Sequence, residues 1–416
     1  MGRFTIILVV GFAIIAGGLK LNHGRLSRQA QEISTERYLE QTARNITTSG
    51  VNLCLQQISQ NFNWRSGFNN LALNGGSVSC NIVDSSVDSN LTLNQLRITA
   101  TGTYAGKSTT AVVLMAKSAF SEFAYFTNVE PLIYFITGDT LKGPIHTNGQ
   151  FHISGDPVFY GLVSSVASSW YGSGHPQFKG GTNFGCPNIQ LPTDLSILEG
   201  QAQNGGTSFQ GNVNLEFLNN GTFNWEVFHT ETQTVKIKDK WVTITNTVID
   251  SSGNVDIAAT NGVIATENGA DVHVKGILDG QVTVLSEGNI WIEDDIVYKQ
   301  NPLTDYTADD LLGLISKNNI YVADNAANQN NCIINATLMA LNTSFSVQNY
   351  NTGTLRGTLT IVGGIVQNQR GPVGTMRGGI IKTGYLKKYI YDQRFLTQAP
   401  PNYPVFSRTS VISWYE

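Results

Sequence analysis

The chain has 416 residues, a formal net charge of −4 and only 13% charged side chains, about half the share of an average soluble domain. Its 41% hydrophobic content supplies ample core material and excludes a disordered chain, and the small negative charge excludes a nucleic-acid partner, because phosphate binding concentrates Lys and Arg. The 42 glycines and a polar, weakly charged surface suit an extracytoplasmic β protein with many tight turns better than a cytosolic enzyme.

Residues 1–24 read as a membrane anchor. The run Phe4 to Leu19, FTIILVVGFAIIAGGL, is uninterrupted and apolar. As a helix it spans about 24 Å, short of a ~30 Å hydrocarbon core; Leu21 extends it and Lys20 can snorkel. A cleaved signal peptide is the rival reading, but no clean Ala-x-Ala site follows. Lys20, Arg25 and Arg28 outweigh Arg3, which by the positive-inside rule places the C-terminal side in the cytoplasm; composition places it outside, and large domains are translocated against a local charge bias. From Leu26 to about Phe62 a long amphipathic helix is expected, continuing from the anchor with a weak point at Asn22-His23-Gly24. Val51, Cys54, Leu55, Ile58 and Phe62 fall on one helical face.

From Asn63 to Lys117 the period changes to two. Ser77 to Ile82 and Leu96 to Ala100 alternate, and Thr109 to Met115 follows a turn at Tyr104-Ala105-Gly106-Lys107. Residues 25–117 thus form a long helix feeding a small antiparallel sheet. That layout resembles type IV pilins and minor pilins, and Gly2-Arg3-Phe4-Thr5-Ile6-Ile7 loosely resembles a prepilin processing site. The sequence departs from the pilin pattern at Arg3, which separates Gly2 from Phe4, and at Leu8, where pilins usually carry a glutamate.

Residues 118–416 are expected to form a right-handed parallel β-helix. Short β-branched runs (Val272 and Val274, Val282 and Val284, Ile290 and Ile292) recur every eight to ten residues or so, each followed by Gly, Asn or Asp, as stacked coils with a continuous core require. A Gly-, Asn- and Gln-rich stretch at about 170–228 reads as an excursion from the repeat. Thr234 to Val248 reads as a hairpin around Lys238-Asp239-Lys240. Pro302 to Leu312 reads as a turn leading into a short helix capped by Asp305 or Thr307, and the proline-bearing end, about 398–416, as a cap over the open end of the coils. Gly143-Pro144-Ile145-His146-Thr147-Asn148-Gly149, Phe151 to Gly161, Leu311 to Ile315, Asn319 to Val322, Gly363 to Gln367 and Arg370 to Gly374 follow in order. Together they resemble an uncharacterised bacterial envelope family known only as a domain of unknown function, which implies an exported, pilus-associated or surface protein and no defined activity.

Cys54, Cys80, Cys186 and Cys332 include no CxxC pair, so a zinc site of the usual spacing is not indicated. An even count in an exported chain permits two disulfides, with Cys54–Cys80 stapling helix to sheet and Cys186–Cys332 left over; four buried thiols are the alternative. His146 and His152 flank a glycine turn without a third ligand, and His273 lies between two inward valines. The acid pairs Asp294-Asp295 and Asp309-Asp310 point to opposite faces of a strand and do not make a glycosidase pair. A calcium ion near Asp250 and Asp256 is a minor alternative, since the spacing is not that of an EF-hand. No other cofactor is indicated and no catalytic residue is assigned. Trp170, Tyr171, Phe178 and Trp225, aromatics among glycines, are the candidate contact surface.

With these resemblances, the expectation is a membrane-anchored, pilus-associated surface protein of minor-pilin type, structural or adhesive, with its bulk extracytoplasmic in the bacterial envelope. Its expected partners are the membrane through the N-terminal helix, pilus subunits or other envelope proteins, and surface polysaccharide. The alternatives are a polysaccharide-acting β-helix enzyme, which needs a groove lined by several acids with Arg or Lys, and a polymerising envelope scaffold.

Overall fold

From Gly2 to Gln60 the chain is a single helix of 59 residues, about 90 Å long at 1.5 Å per residue. The computed structural model describes residues 2–88, 90–91, 94–305, 307–377 and 380–416. The helix passes through Asn22-His23-Gly24 unbroken, which corrects the expected weak point. One glycine costs only about 1 kcal/mol, and no proline removes a backbone donor there. Residues up to Tyr38 are exposed apart from a partly covered Gly11, and this stretch is long and apolar enough to cross a membrane.

The chain divides into two compact units, 1–116 with 408–416, and 117–407. In the first, the helix buries Ala43, Ile46, Thr47, Gly50, Val51, Cys54 and Ile58, one face at three- and four-residue spacing. They pack on the alternate residues Val78, Cys80 and Ile82, Leu96, Ile98 and Ala100, and Ala111, Val113 and Met115 of the sheet. The sheet has five strands, Phe68–Leu73, Gly76–Val83, Gln95–Tyr104, Lys107–Ala119 and Val405–Tyr415, in that spatial order. Two glycines let helix and sheet approach. A Cβ on Gly50 would sit 2.4 Å from Val78 Cγ2, and one on Gly102 would sit 2.5 Å from Thr47 Oγ1.

The fifth strand corrects the expected cap. Residues 408–416 return to the first unit, and Trp414 packs against its core. The prolines just before them lie along the flank of the second unit. Pro401 O accepts from Thr283 Oγ1 at 2.6 Å, and the buried ring of Tyr403 reaches Thr337. The second unit is thus an insertion between the last two strands of the first.

The second unit is built mainly from short parallel pairings. Val263–Thr266, Gln281–Ser286, Leu311–Ser316, Cys332–Ala340 and Leu355–Gln369 pair in succession. Leu355–Gln369 then pairs with Tyr125–Val129, followed by Ile145–Thr147, Val163–Ser165 and Thr182–Phe184. The register aligns Ile264, Val284, Leu314, Leu338, Ile365, Tyr125, Ile145 and Val163 in one buried column. One position along, Ala265, Leu285, Ile315, Met339, Val366 and Phe126 face outward and are covered by Leu195, Leu198 and Tyr403. A second parallel series joins Asn212–Leu218, Val272–Leu278, Ile290–Tyr298, Ile320–Val322 and Phe345–Val347. Its inward residues include Val213, Val272, Ile290, Ile320 and Phe345.

Two sequence expectations change here. Leu311–Ser316 is a strand buried at every position, not the end of a helix. The Asp305 carboxylate accepts instead from the Thr307 amide and hydroxyl, at 2.8 and 2.6 Å, closing a turn. The stretch 170–228 keeps the parallel pairing at both ends, through Tyr171–Gly172, Gln177–Phe178 and Thr182–Phe184 and through Thr207–Phe209 and Asn212–Leu218. Strands of two or three residues are too short to show a period in sequence. Between them lies the short helix Ser196–Gln203. The hairpin is longer than its sequence core, with Thr222–Ile237 paired to Lys240–Asp256. Its two turn residues, Lys238 and Asp239, have φ of 45° and 62°, as a type I′ turn requires.

Candidate functional site

The outward face of Asn212–Leu218 presents Asn214 and Glu216, because Val213, Leu215 and Phe217 turn inward. The neighbouring strands continue that face in register. Asn214 lies opposite Glu226 and Glu216 opposite Asn224 on one side; Asn214 lies beside His273 and Glu216 beside Lys275 on the other. The hairpin adds Asn254 opposite Asn224 and Ser252 opposite Glu226. With Glu293, Asp294 and Asn325 these residues line a groove of about 900 Å³, near the upper size of small-ligand sites.

The lining groups hold one another. Asn214 Nδ2 donates to Glu226 Oε2 at 3.2 Å, and Asn254 Nδ2 to Asn224 Oδ1 at 2.9 Å. Lys275 Nζ is 3.6 Å from Glu216 Oε1. His273 Nδ1 is 2.6 Å from Glu293 Oε1, and Asn325 Nδ2 donates to Glu293 Oε2 at 2.7 Å. The His273 ring stacks at 6.1 Å on Trp291, which stacks at 4.7 Å on Tyr321, so this side of the groove is rigid. Trp225, opposite the inward Leu215, packs from the core side beneath the groove, against Phe209 at 5.2 Å and over Gly253, where a Cβ would come 2.8 Å from the indole.

The hydrogen bond from His273, ahead of any burial effect, holds the Glu293 carboxyl below its ordinary value of 4.5. Its folded pKa is depressed, so its contribution to stability is complete above 4.5 and is lost as pH falls through the depressed value. Acid unfolding of Glu293→Gln is expected to be less steep than wild type below pH 4.5. Superimposable acid limbs would show that the pair contributes nothing.

The expected contact residues do not gather in one place. Trp170 and Phe178 pack against the buried cluster of Tyr125, Phe135 and Phe159, and Phe178 stacks on Phe159 at 5.4 Å. Tyr171 is 55% exposed, while Trp225 packs against the main core beneath the groove. Trp170→Ala is therefore expected to cost about 2 kcal/mol, below the ~3–5 kcal/mol of a fully buried ring, and Tyr171→Ala less than about 0.5 kcal/mol. Urea denaturation of the two variants checks the difference.

The cysteines are thiols. Cys54 and Cys80 share a hydrogen bond. Cys186 donates to Ser165 O at 3.3 Å, and Cys332 is buried in the main core beside Leu359, so these two are not brought together. Asp250 accepts from His229 Nδ1 at 2.8 Å, and Asp256 caps the next turn by accepting from Ala258 N. The two carboxylates serve separate contacts. Among the described residues no group of three His, Cys, Asp or Glu side chains is placed to hold a metal.

His146 is fully buried. Its Nε2 faces Asn148 Oδ1 and its Nδ1 faces Ser164 Oγ, both at 2.9 Å. Asn148 is itself fixed by the Ile189 amide and carbonyl, so the amide oxygen points at the ring. The ring therefore donates from Nε2 to Asn148 Oδ1, and the Ser164 hydroxyl beside Nδ1 donates to Ile145 O at 3.0 Å. Burial pushes the imidazole below its ordinary value, with the Asn148 hydrogen bond opposing it. The Glu216, Glu226 and Asn224 positions were not singled out by sequence. Their one signal was the strict alternation of polar and apolar residues in Asn212–Leu218 and again in Thr222–Val227.

Residues 90–185 match the family model described as a domain of unknown function (DUF4900). No curated protein matches the chain. The crystal structure of the competence-associated pilin ComZ from Thermus thermophilus is similar over 91% of this chain and 97% of that one, at 10% identity and a TM-score of 0.35.

Proposed function

We propose that this chain is a membrane-anchored surface protein of minor-pilin type whose second unit is a right-handed parallel β-helix held outside the membrane for a structural or adhesive task. The observation that carries this is the division of labour in one helix. Its first part is apolar and uncovered, and the part from Ala43 onward packs on a small antiparallel sheet. Burying apolar surface in a bilayer removes it from water, and the packed half ties that anchor to the folded units. The in-register parallel columns support a β-helix, and parallel crossovers favour the right hand. The partners on this reading are pilus subunits or other envelope proteins.

Full-length protein is expected in the membrane or sheared-filament fraction of fractionated cells, and removal of Phe4 to Leu19 is expected to release it. Recovery of wild type as a soluble form beginning beyond Gly18 would establish a cleaved signal peptide instead. Turnover of a polysaccharide by the purified protein would overturn the non-enzymatic reading.

A further inference from the structure

We infer that the groove between the hairpin and the Asn212–Leu218, Val272–Leu278 and Ile290–Tyr298 strands binds an uncharged oligosaccharide. The inference rests on the surface location proposed above only for its biological setting; the binding itself is a property of the groove. Three observations carry it.

The first is the chemistry of the lining. Planar amides and carboxylates from four neighbouring strands alternate donors and acceptors across one face. After the internal bonds are made, donor capacity remains on Asn224 Nδ2 and acceptor capacity on the oxygens of Asn214 and Glu226. A hydroxyl group donates and accepts at once, so a row of hydroxyls satisfies such a mixed array, whereas a purely anionic or purely apolar ligand leaves half of it unpaired.

The second is charge. Glu216, Glu226, Glu293 and Asp294 face a single lysine, Lys275, which already lies against Glu216. An anionic polymer such as a polyuronate would meet repulsion along the whole groove. No metal-holding cluster is present among the described residues to bridge a carboxylate ligand.

The third is preorganisation. The carboxylates are held by Asn214, Lys275, His273 and Asn325, and the strand beneath Asn224 and Glu226 is pinned from its core side by Trp225 packed over Gly253. Side chains fixed before binding lose less entropy on binding. The groove volume of about 900 Å³ leaves room for more than one sugar unit.

The test uses detergent-solubilised full-length protein titrated calorimetrically with cellohexaose, laminarihexaose, mannohexaose, a galacturonate hexamer and a glucosamine hexamer. At least one neutral hexasaccharide is expected to bind and the galacturonate hexamer is not. Asn224→Ala and Glu226→Ala are each expected to weaken the neutral ligand ~10-fold, the loss of one or two hydrogen bonds, without lowering the Tm. Glu226→Gln, which keeps the shape and an acceptor, is expected to stay within about threefold of wild type. Silence of all three neutral sugars at millimolar concentration overturns the proposal. So does neutral-sugar binding that Asn224→Ala and Glu226→Ala leave unchanged, and so does binding confined to the glucosamine hexamer, which would mark a cation groove. None of these outcomes depends on where the protein resides in the cell, so the anchor and the groove stand or fall separately.

Discussion

Arg370→Met is expected to destabilise the protein by about 3–5 kcal/mol, the usual cost of stranding one member of a buried ion pair. Arg370 Nη1 lies 3.2 Å from Glu130 Oε1, and the Glu130 side chain is wholly buried. Thr127 and Tyr125 donate to the same carboxylate. Burial pushes the Glu130 carboxyl up while the guanidinium opposes it. Arg370 Nη1 also donates to Ile133 O at 3.0 Å, and the guanidinium lies 4.2 Å from the Phe135 ring centroid. The pair sits just past the strands Tyr125–Val129 and Leu355–Gln369, which pair in parallel. Removing Arg370 therefore leaves a buried anion at a junction between strands some 240 positions apart in the chain. Urea denaturation measures the loss. The double variant Glu130→Leu with Arg370→Leu is expected to regain most of it, because it removes both charges. A double variant as unstable as the single one would mean that packing of the arginine stem, not the charge, is what matters.

Purified without reductant, the protein is expected to carry one disulfide, Cys54–Cys80, and to be roughly 3 kcal/mol more stable than in excess reductant, from a closed loop of about 26 residues in the chain-entropy model. Both thiols are buried in the first unit. The hydrogen bond with Cys80, joined by burial, pushes the Cys54 thiol well up. Oxidation would tie the helix to the Gly76–Val83 strand at a contact that already exists. Cys186 and Cys332 are expected to remain thiols, each with its own surroundings. Peptide mapping under non-reducing conditions checks this, and a free Cys54 in oxidised protein would reject the bridge.

Sequence by itself determined the local features whose cause is local. An apolar run with no proline makes a helix. The spacing of Val51, Cys54 and Ile58 predicted the face that the sheet covers, and the alternations Val272/Val274 and Ile290/Ile292 predicted the inward residues of their strands. The turn at Lys238-Asp239 was legible because only a few backbone conformations close a two-residue hairpin. Tertiary structure alone decided which strand lies beside which. The column that runs from Ile365 to Tyr125 joins residues some 240 positions apart, and each of its strands offers much the same apolar interior, so periodicity cannot order them. The same reasoning explains the fate of the C-terminal strand. Val405–Tyr415 alternates weakly and carries no mark of its partner, yet it completes a sheet begun at Phe68. The groove was equally hidden. Its residues face outward, where the requirement to bury apolar surface places no constraint on sequence, and they come together only because the strands bearing Asn214, Asn224, Asn254 and His273 share one register.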